Sequence, residues 1–422
     1  MKIAVIGAGI IGVTTAYELA QDGHEVTVFE RRLAAAEEGS FAIGGLLAPA
    51  GTMPWFAPGM PAKVMRQLLS QHAALRLRWP LSRSELGWLW TSWRACRPET
   101  YALHHARMQR LASYSRERLH QITADLQLEF DRSEGQLVLL RTAKEQAQMQ
   151  AHLQMLRDAG LPFKVLNAEE SRKIEPALNP DTSFAGALHL PQDEIGNCRQ
   201  FALLLKNEAQ RQGVTFAFST PVASMASSSP KGHGITLTLA GEAPEQQLFD
   251  AAVLCAGVAS AQLLQPLGLR LPLAAVHGYS VSAAVREPLN APRSAITDPR
   301  YQVHIARLGQ RVRVAGTAEI GGTAEVQRPG TIQTLFKVLH DWFPGAAHLS
   351  SGVQTWKGAR PMLPDGPPLL GASGIAGLWL NLGHGDSGWT MGCGSARAVA
   401  DLIAGRTPEI DLEGLGVSRL TP

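Results

Sequence analysis

Six residues near the start of the chain, Gly7-Ala8-Gly9-Ile10-Ile11-Gly12, have the types and spacing to hold a pyrophosphate. Gly7 permits a tight turn, Gly9 lets the backbone approach the phosphates, and Gly12 lets a helix pack close to a strand. Ile10 and Ile11 stand at the start of that helix, where free N–H groups and the positive dipole end attract anionic charge. Glu30 lies 18 residues past Gly12 and has the acidic type that accepts hydrogen bonds from a ribose diol. Arg31 and Arg32 follow it and leave a 2′-phosphate open. The motif points to a dinucleotide without separating FAD from NAD or NADP.

A second chemical signature lies near the other end. Residues 379–393 read Trp-Leu-Asn-Leu-Gly-His-Gly-Asp-Ser-Gly-Trp-Thr-Met-Gly-Cys. An apolar strand ends in a glycine-rich turn, and a helix begins there. Gly383, His384, Gly385, Gly388, Trp389 and Thr390 border that turn. A helix start of this kind stabilises negative charge, such as that at the N1/C2=O edge of a reduced flavin. A nicotinamide gains no anionic ring upon reduction, so this element selects FAD.

These residues need a scaffold. Residues 2–6 are a continuous apolar run, 10–22 a helix and 25–30 a second strand, which together make a βαβ unit. Further strands are expected at 136–141, 184–190, 214–218, 235–239, 251–255 and 378–382, with helices at 101–128, 145–160, 198–212, 331–342 and 389–404. Residues 278–284, 302–307 and 311–316 alternate, as an antiparallel sheet does. A turn is expected at 227–232. The fold class expected is α/β: a discontinuous Rossmann-type FAD-binding domain (1–52, 193–270 and 355–422) plus an α+β substrate domain with a mostly antiparallel sheet (53–192 and 271–354).

Composition narrows the function classes. The 422 residues are 45% apolar and 18% charged, with a net charge of +3 and no basic tail, so nucleic-acid binding is not expected. Cys96, Cys198, Cys255 and Cys393 are far apart, which argues against a zinc site or a disulfide framework. No metal is expected. Neither a signal peptide nor an apolar run of ~18 residues is present, so a cytoplasmic protein is expected, or one lying on the inner membrane face. Residues 53–97 stand out. They hold Trp55, Trp79, Trp88, Trp90 and Trp93, with Lys63, Arg66, Arg76, Arg78, Arg83, Arg94 and Arg97 against the single acid Glu85. Two readings stay open: docking to anionic lipid with access to a quinone, or a helical subdomain whose tryptophans fill a core.

Several further motifs occur in order: Pro54-Trp55-Phe56-Ala57-Pro58-Gly59-Met60-Pro61, Leu190-Pro191-Gln192-Asp193-Glu194-Ile195-Gly196, Gly278-Tyr279-Ser280 and Gly358-Ala359-Arg360-Pro361-Met362-Leu363-Pro364-Asp365-Gly366. With the two signatures above they resemble the D-amino acid oxidase and glycine oxidase superfamily, and within it the bacterial D-amino acid dehydrogenases, over nearly the whole chain. The resemblance implies FAD-dependent oxidation of the Cα–N bond of a D-amino acid, hydride passing from Cα to flavin N5. The products are a 2-oxo acid and ammonia, and electrons go to a respiratory acceptor. It also implies that Arg360 clamps the substrate carboxylate, the alternative being an ion pair with Asp365. His304 is the candidate for a substrate-facing position often held by tyrosine, or else a satisfied histidine on a sheet face. Tyr279 could line the same pocket, or be a buried tyrosine with a bonded hydroxyl. Val222 resembles the residue whose backbone meets adenine, and Cys255 and Gly257 lie near the ADP half. One loop departs from the pattern. Ser40-Phe41-Ala42-Ile43-Gly44-Gly45-Leu46 carries Ile43 where a polar residue is usual, while Gly44, Gly45 and Leu46 still allow close approach to a flavin. That departure keeps a cyclic or N-substituted substrate open, of the hydroxy-D-proline or sarcosine/glycine type. A flavin-binding subunit inactive alone and a nicotinamide dehydrogenase are the remaining alternatives.

Overall fold

The computed structural model describes residues 1–60, 72–227, 234–241 and 244–420. Lys63 and Arg66 of the basic stretch, and residues 228–232 of the expected turn, lie outside the described residues.

The N-terminal apolar run forms strand Lys2–Ile6, flanked in parallel by Glu25–Phe29 and Ala251–Leu254. A strand covered on both faces is apolar throughout rather than alternating, which explains the run. The sheet has six strands in the order Leu369–Ala372, Leu378–Leu382, Ala251–Leu254, Lys2–Ile6, Glu25–Phe29, Thr215–Ala217, and only its first pair is antiparallel. On one face Ile3, Val5, Val26, Val28 and Val253 pack against helices Ile10–Gln21, Pro98–Asp125, Cys198–Arg211 and Gly388–Ile403. On the other, Ala4, Ile6, Ala252 and Leu254 pack against a three-stranded antiparallel sheet, Val222–Ser227, Ile235–Leu239 and Glu245–Phe249.

The second sheet has ten strands, and most of its pairings are antiparallel. Its order is Gln354–Met362, Ala274–Ala284, Arg311–Ile320, Val303–Leu308, Ala295–Asp298, Arg132–Leu140, Gly186–Gly196, Leu46–Leu47. Leu75–Leu77 joins Arg311–Ile320, and Lys164–Leu166 joins Gly186–Gly196. Helix Pro329–Trp342 covers one face over Tyr279, Val281, Val303, Ile305, Val312 and Val314. The opposite face turns toward the first sheet. Pro191 is tolerated in a strand because it sits where the register slips between Glu134 and Gln136, at a bulge that needs no ladder donor.

The structure differs from the sequence expectation in three places. The helix expected over 145–160 is two helices, Ala143–Gln148 and Gln150–Asp158, meeting at Met149. Strands Val222–Ser227, Glu245–Phe249 and Leu369–Ala372 escape a reading by apolar pattern because they are short, or polar on an exposed face. The boundaries placed at 193 and 355 fall inside strands Gly186–Gly196 and Gln354–Met362 of the ten-stranded sheet.

Candidate active site

The N-terminal motif builds one end of the site. Gly7 has φ +102°, and a Cβ there would lie 2.7 Å from the Cys255 carbonyl oxygen. A Cβ on Gly12 would lie 1.8 Å from the Gly7 carbonyl oxygen, so only glycine lets the helix start this close to the strand. Gly9 caps the helix with no side-chain bond, which leaves donors free at its start. The Ile10 N–H donates to Ser40 Oγ at 3.1 Å. Glu30 follows the second strand and accepts from the Ala8 N–H at 2.7 Å and the Arg32 N–H at 2.8 Å. Arg31 forks onto Glu38, and Arg32 joins the same carboxylate at 2.6 Å. Both guanidiniums are therefore already paired, which removes the sequence argument for a 2′-phosphate. Cys255 donates to Thr15 Oγ1, and burial pushes its thiol up to about 12, so it is an inert small side chain.

The C-terminal signature closes the other side. His384 bonds Ser395 Oγ at 2.9 Å, and burial pushes its imidazole down to about 3, so the ring is neutral and tied to the last helix. Trp389 donates its indole N–H to the Gly196 carbonyl and packs on Phe130 and Phe201. The Thr390 hydroxyl donates to the Leu46 carbonyl at 3.2 Å, stitching this helix to the loop that holds Gly44 and Gly45. Gly45 has φ +85° and would place a Cβ 2.8 Å from the Gly196 oxygen. Arg313 donates to the Ile43 carbonyl at 3.2 Å and fixes the same loop from below.

The ten-stranded sheet supplies the third wall. Gly278 and Gly358 are cross-strand partners. The Arg360 guanidinium lies over Gly278, within 2.3 Å of where a Cβ would be, and the Trp356 indole lies over Gly358 at 1.9 Å. Arg360 donates to the Thr317 carbonyl at 3.1 Å. Thr317 has φ +59°, a costly conformation for a β-branched residue, at a register slip opposite His277 and Tyr279. Asp365, the alternative partner of Arg360, instead takes Arg419 at 2.6 Å. Among the described residues no carboxylate lies within ion-pair distance of Arg360. His304 bonds Thr297 Oγ1 through Nδ1 at 2.9 Å. Burial, helped by the Arg360 charge, pushes it down to about 4, so it is neutral at physiological pH.

Tyr279 combines its two readings. Alternation puts Gly278 and Ser280 on the cavity face and Tyr279 on the other. Its ring belongs to the core under helix Pro329–Trp342, and its hydroxyl donates to Glu319 Oε2 at 2.9 Å. It is the buried tyrosine with a bonded hydroxyl, and it also belongs to the cavity lining.

A single cavity of about 1060 Å³ runs between the three walls. Gly7, Gly9, Ile10, Ile11, Glu30 and Arg31 line one end, with Val222, Cys255 and Gly257 beside them. Gly44, Gly45, Leu46, Gly383, His384, Gly385, Gly388, Trp389 and Thr390 line the middle. His304 and Arg360 line the other end, and Tyr279 borders it from the far face. Gly12 lies behind the lining, as its packing role requires. Sequence reasoning missed Ser40, Thr317, Asn381 and Asp386, which also line it. Thr317 Oγ1 and Asn381 Oδ1 are buried there without a hydrogen-bond partner. A glycine cradle, an acid at the end of the second strand and orphaned polar atoms fit a bound dinucleotide with room for a small substrate.

The sequence matches the DAO family, described as FAD dependent oxidoreductase, over residues 2–402. The chain belongs to the DAO family of FAD-dependent oxidoreductases. This DAO-family chain is 42% identical over 421 residues to a protein of Cereibacter sphaeroides named D-amino acid dehydrogenase, covering 99% of this chain and 95% of that one. A Bradyrhizobium diazoefficiens protein of the same name is 41% identical over 424 residues, covering 99% of both. Among solved structures, glycine oxidase from Geobacillus kaustophilus matches with a TM-score of 0.78 at 22% identity, covering 99% of this chain and 98% of that one. L-proline dehydrogenase from P. horikoshii matches with a TM-score of 0.72 at 18% identity, covering 98% and 96%. At such identities the structures speak for the fold alone. A member of this family depends on FAD, which supplies a two-electron acceptor, so the nicotinamide alternative falls.

The tryptophan-rich stretch divides between its two readings. Trp88 is 3% exposed and donates its indole N–H to the Met362 carbonyl, at the end of the strand that carries Arg360. Trp79, Trp90 and Trp93 are 69%, 58% and 52% exposed, and Arg83, Arg94 and Arg97 are exposed around the last two. No helix among the described residues is long and apolar enough to cross a membrane.

Proposed function

We propose that this oxidoreductase oxidises D-amino acids at the Cα–N bond, and that the resulting imine hydrolyses to a 2-oxo acid and ammonia. The observation that carries the reading is Arg360: a guanidinium without a carboxylate partner, laid flat by Gly278 in the cavity wall. Its planar fork suits a carboxylate held bidentately. The name shared by the full-length relatives supports the D configuration. Neutral His304 and orphaned Thr317 Oγ1 flank the same space and suit an uncharged amine, the form that loses a hydride from Cα and a proton from nitrogen. No side-chain base is needed for that form.

The electrons then pass to a respiratory acceptor at the inner membrane face. Exposed Trp79, Trp90 and Trp93 with Arg83, Arg94 and Arg97 support peripheral docking to anionic lipid. Co-sedimentation with anionic but not neutral vesicles, weakened by salt, is the expected result.

Ile43 in the cavity wall supports a second reading, a cyclic or N-substituted substrate. Anaerobic mixing of holoenzyme with D- and L-amino acids, D-proline and sarcosine tests both, read at the flavin absorbance. Bleaching by primary D-amino acids alone is the expected outcome. Bleaching by cyclic or N-methyl acids alone establishes the second reading, and bleaching by none rejects both.

A further inference from the structure

We propose that Asp386 makes the substrate end of the cavity select D-amino acids with cationic side chains over acidic ones. The inference rests on Arg360 as the carboxylate clamp. Backbone geometry sets the neighbourhood. The Gly385 N–H donates to the Pro361 carbonyl at 3.0 Å, and Met362 and His384 form an antiparallel bridge. The residue that follows Gly385 is thereby held near the residue that precedes Pro361. Asp386 stands in the wall of the same cavity as Arg360, and its charge offsets part of what burial takes from the Arg360 guanidinium. Among the described residues no cation lies within ion-pair distance of Asp386. It accepts a hydrogen bond from the Ser387 hydroxyl at 3.3 Å.

The charges at this end can be followed one at a time. Lys357 is cancelled by Glu319 at 2.7 Å and gives its other protons to the Thr323 and Val326 carbonyls. Glu319 also takes Arg328 at 3.1 Å, which leaves that trio one positive charge, and the Glu325 carboxylate, which interacts with Lys357, offsets it. Burial holds His277, His304 and His384 below their ordinary values, toward the neutral form. Arg360 is the cation left, and a substrate carboxylate neutralises it. What then faces the rest of the substrate is the Asp386 carboxylate. An additional positive group on the substrate is attracted by that field and an additional negative one is repelled. The turn Gly383–Gly388 gives no warning of this in sequence, because its glycines draw the reading toward the cofactor.

The test uses flavin-loaded enzyme and the Asp386→Asn variant, which keeps the side chain's size. Wild type is expected to favour D-lysine over D-glutamate in kcat/KM, and D386N to lower that ratio by about tenfold or more while D-alanine changes far less. Asp386→Glu, which keeps the charge, retains the preference. Binding is read separately by calorimetry with (R)-2-methylornithine and (R)-2-methylglutamate, which carry no hydrogen on Cα and cannot be oxidised. The same ranking and the same loss in D386N are expected. An unchanged ratio in D386N, or a wild type that prefers the acidic partners, overturns the proposal. If no D-amino acid turns over, the reaction reading fails, and the calorimetric ranking still decides the charge preference. If D386N does not fold, the wild-type ranking alone decides.

Discussion

The two ends of the cavity are built in opposite ways. The dinucleotide end comes mostly from one stretch, Gly7 to Glu30, whose parts are neighbours in sequence. The substrate end is assembled by pairing across a sheet, where Gly278, His304, Thr317 and Arg360 arrive from four different strands. The first end tolerates little local change because backbone meets backbone. The second depends on register, so each side chain is placed by the glycines opposite it. Chemistry shared across a family suits the first arrangement, and adjustable specificity suits the second.

The largest effect expected is at the contiguous end. Gly12→Ala puts a Cβ 1.8 Å from a backbone oxygen that cannot move aside, and the purified variant should carry little or no flavin. Absorbance of the variant checks this. Arg360→Leu should keep its flavin and lose about 1000-fold in kcat/KM, the scale of removing one partner from a buried charge pair. Gly278→Ala breaks the comparison most directly. It leaves Arg360 in the chain but pushes the guanidinium off the sheet, and KM should rise about tenfold with flavin content unchanged. If flavin is lost as well, the two ends are not separable. Tyr279→Phe should change kcat/KM less than about threefold and cost about 1 kcal/mol of stability, the net worth of one hydrogen bond.

The smallest effect is on pH. His152 and His304 are held near 4, and His384 near 3, so the folded chain binds fewer protons there than the unfolded chain. Their stabilising effect is complete above about 6.5, the ordinary histidine value, and is lost as pH falls toward 4. Asp193 runs the other way. Burial pushes it up to about 7, so its effect is present at low pH and lost as pH rises through 7. The melting temperature should drop by several degrees from pH 6.5 to 4.5, the three histidines outweighing one carboxyl. Asp193→Asn should deepen the drop below pH 6.5, because it removes the one contribution that grows as pH falls from about 7 to about 4.

How much of this could be read from the sequence follows the same division. The glycine fingerprint, Glu30 and the first βαβ unit are local, so spacing alone gave them. The antiparallel second sheet was visible through alternation at 302–307 and 311–316. Tyr279 kept two readings because alternation tells which residues share a face but not which face meets the ligand. That depends on Pro329–Trp342 covering one side, a contact across 50 residues or more of chain. Ser40 was missed because a serine in a loop has no spacing signal; only the fold brings it to Ile10. The pairing of Arg419 with Asp365 joins positions 54 residues apart, and nothing in either segment announces it.

Strand Gln354–Met362 has a consequence beyond placing Arg360. It is an outermost strand, paired along one side by Ala274–Ala284, and its far end is met by the loop Gly383–Gly388 through Gly385 and His384. An open strand edge is a template for adding another chain. Among the described residues, the loop 383–388 meets that edge only at Pro361 and Met362. Residues 354–360 are therefore where a second chain could add to the sheet, and charged substitutions there should lower any tendency to aggregate.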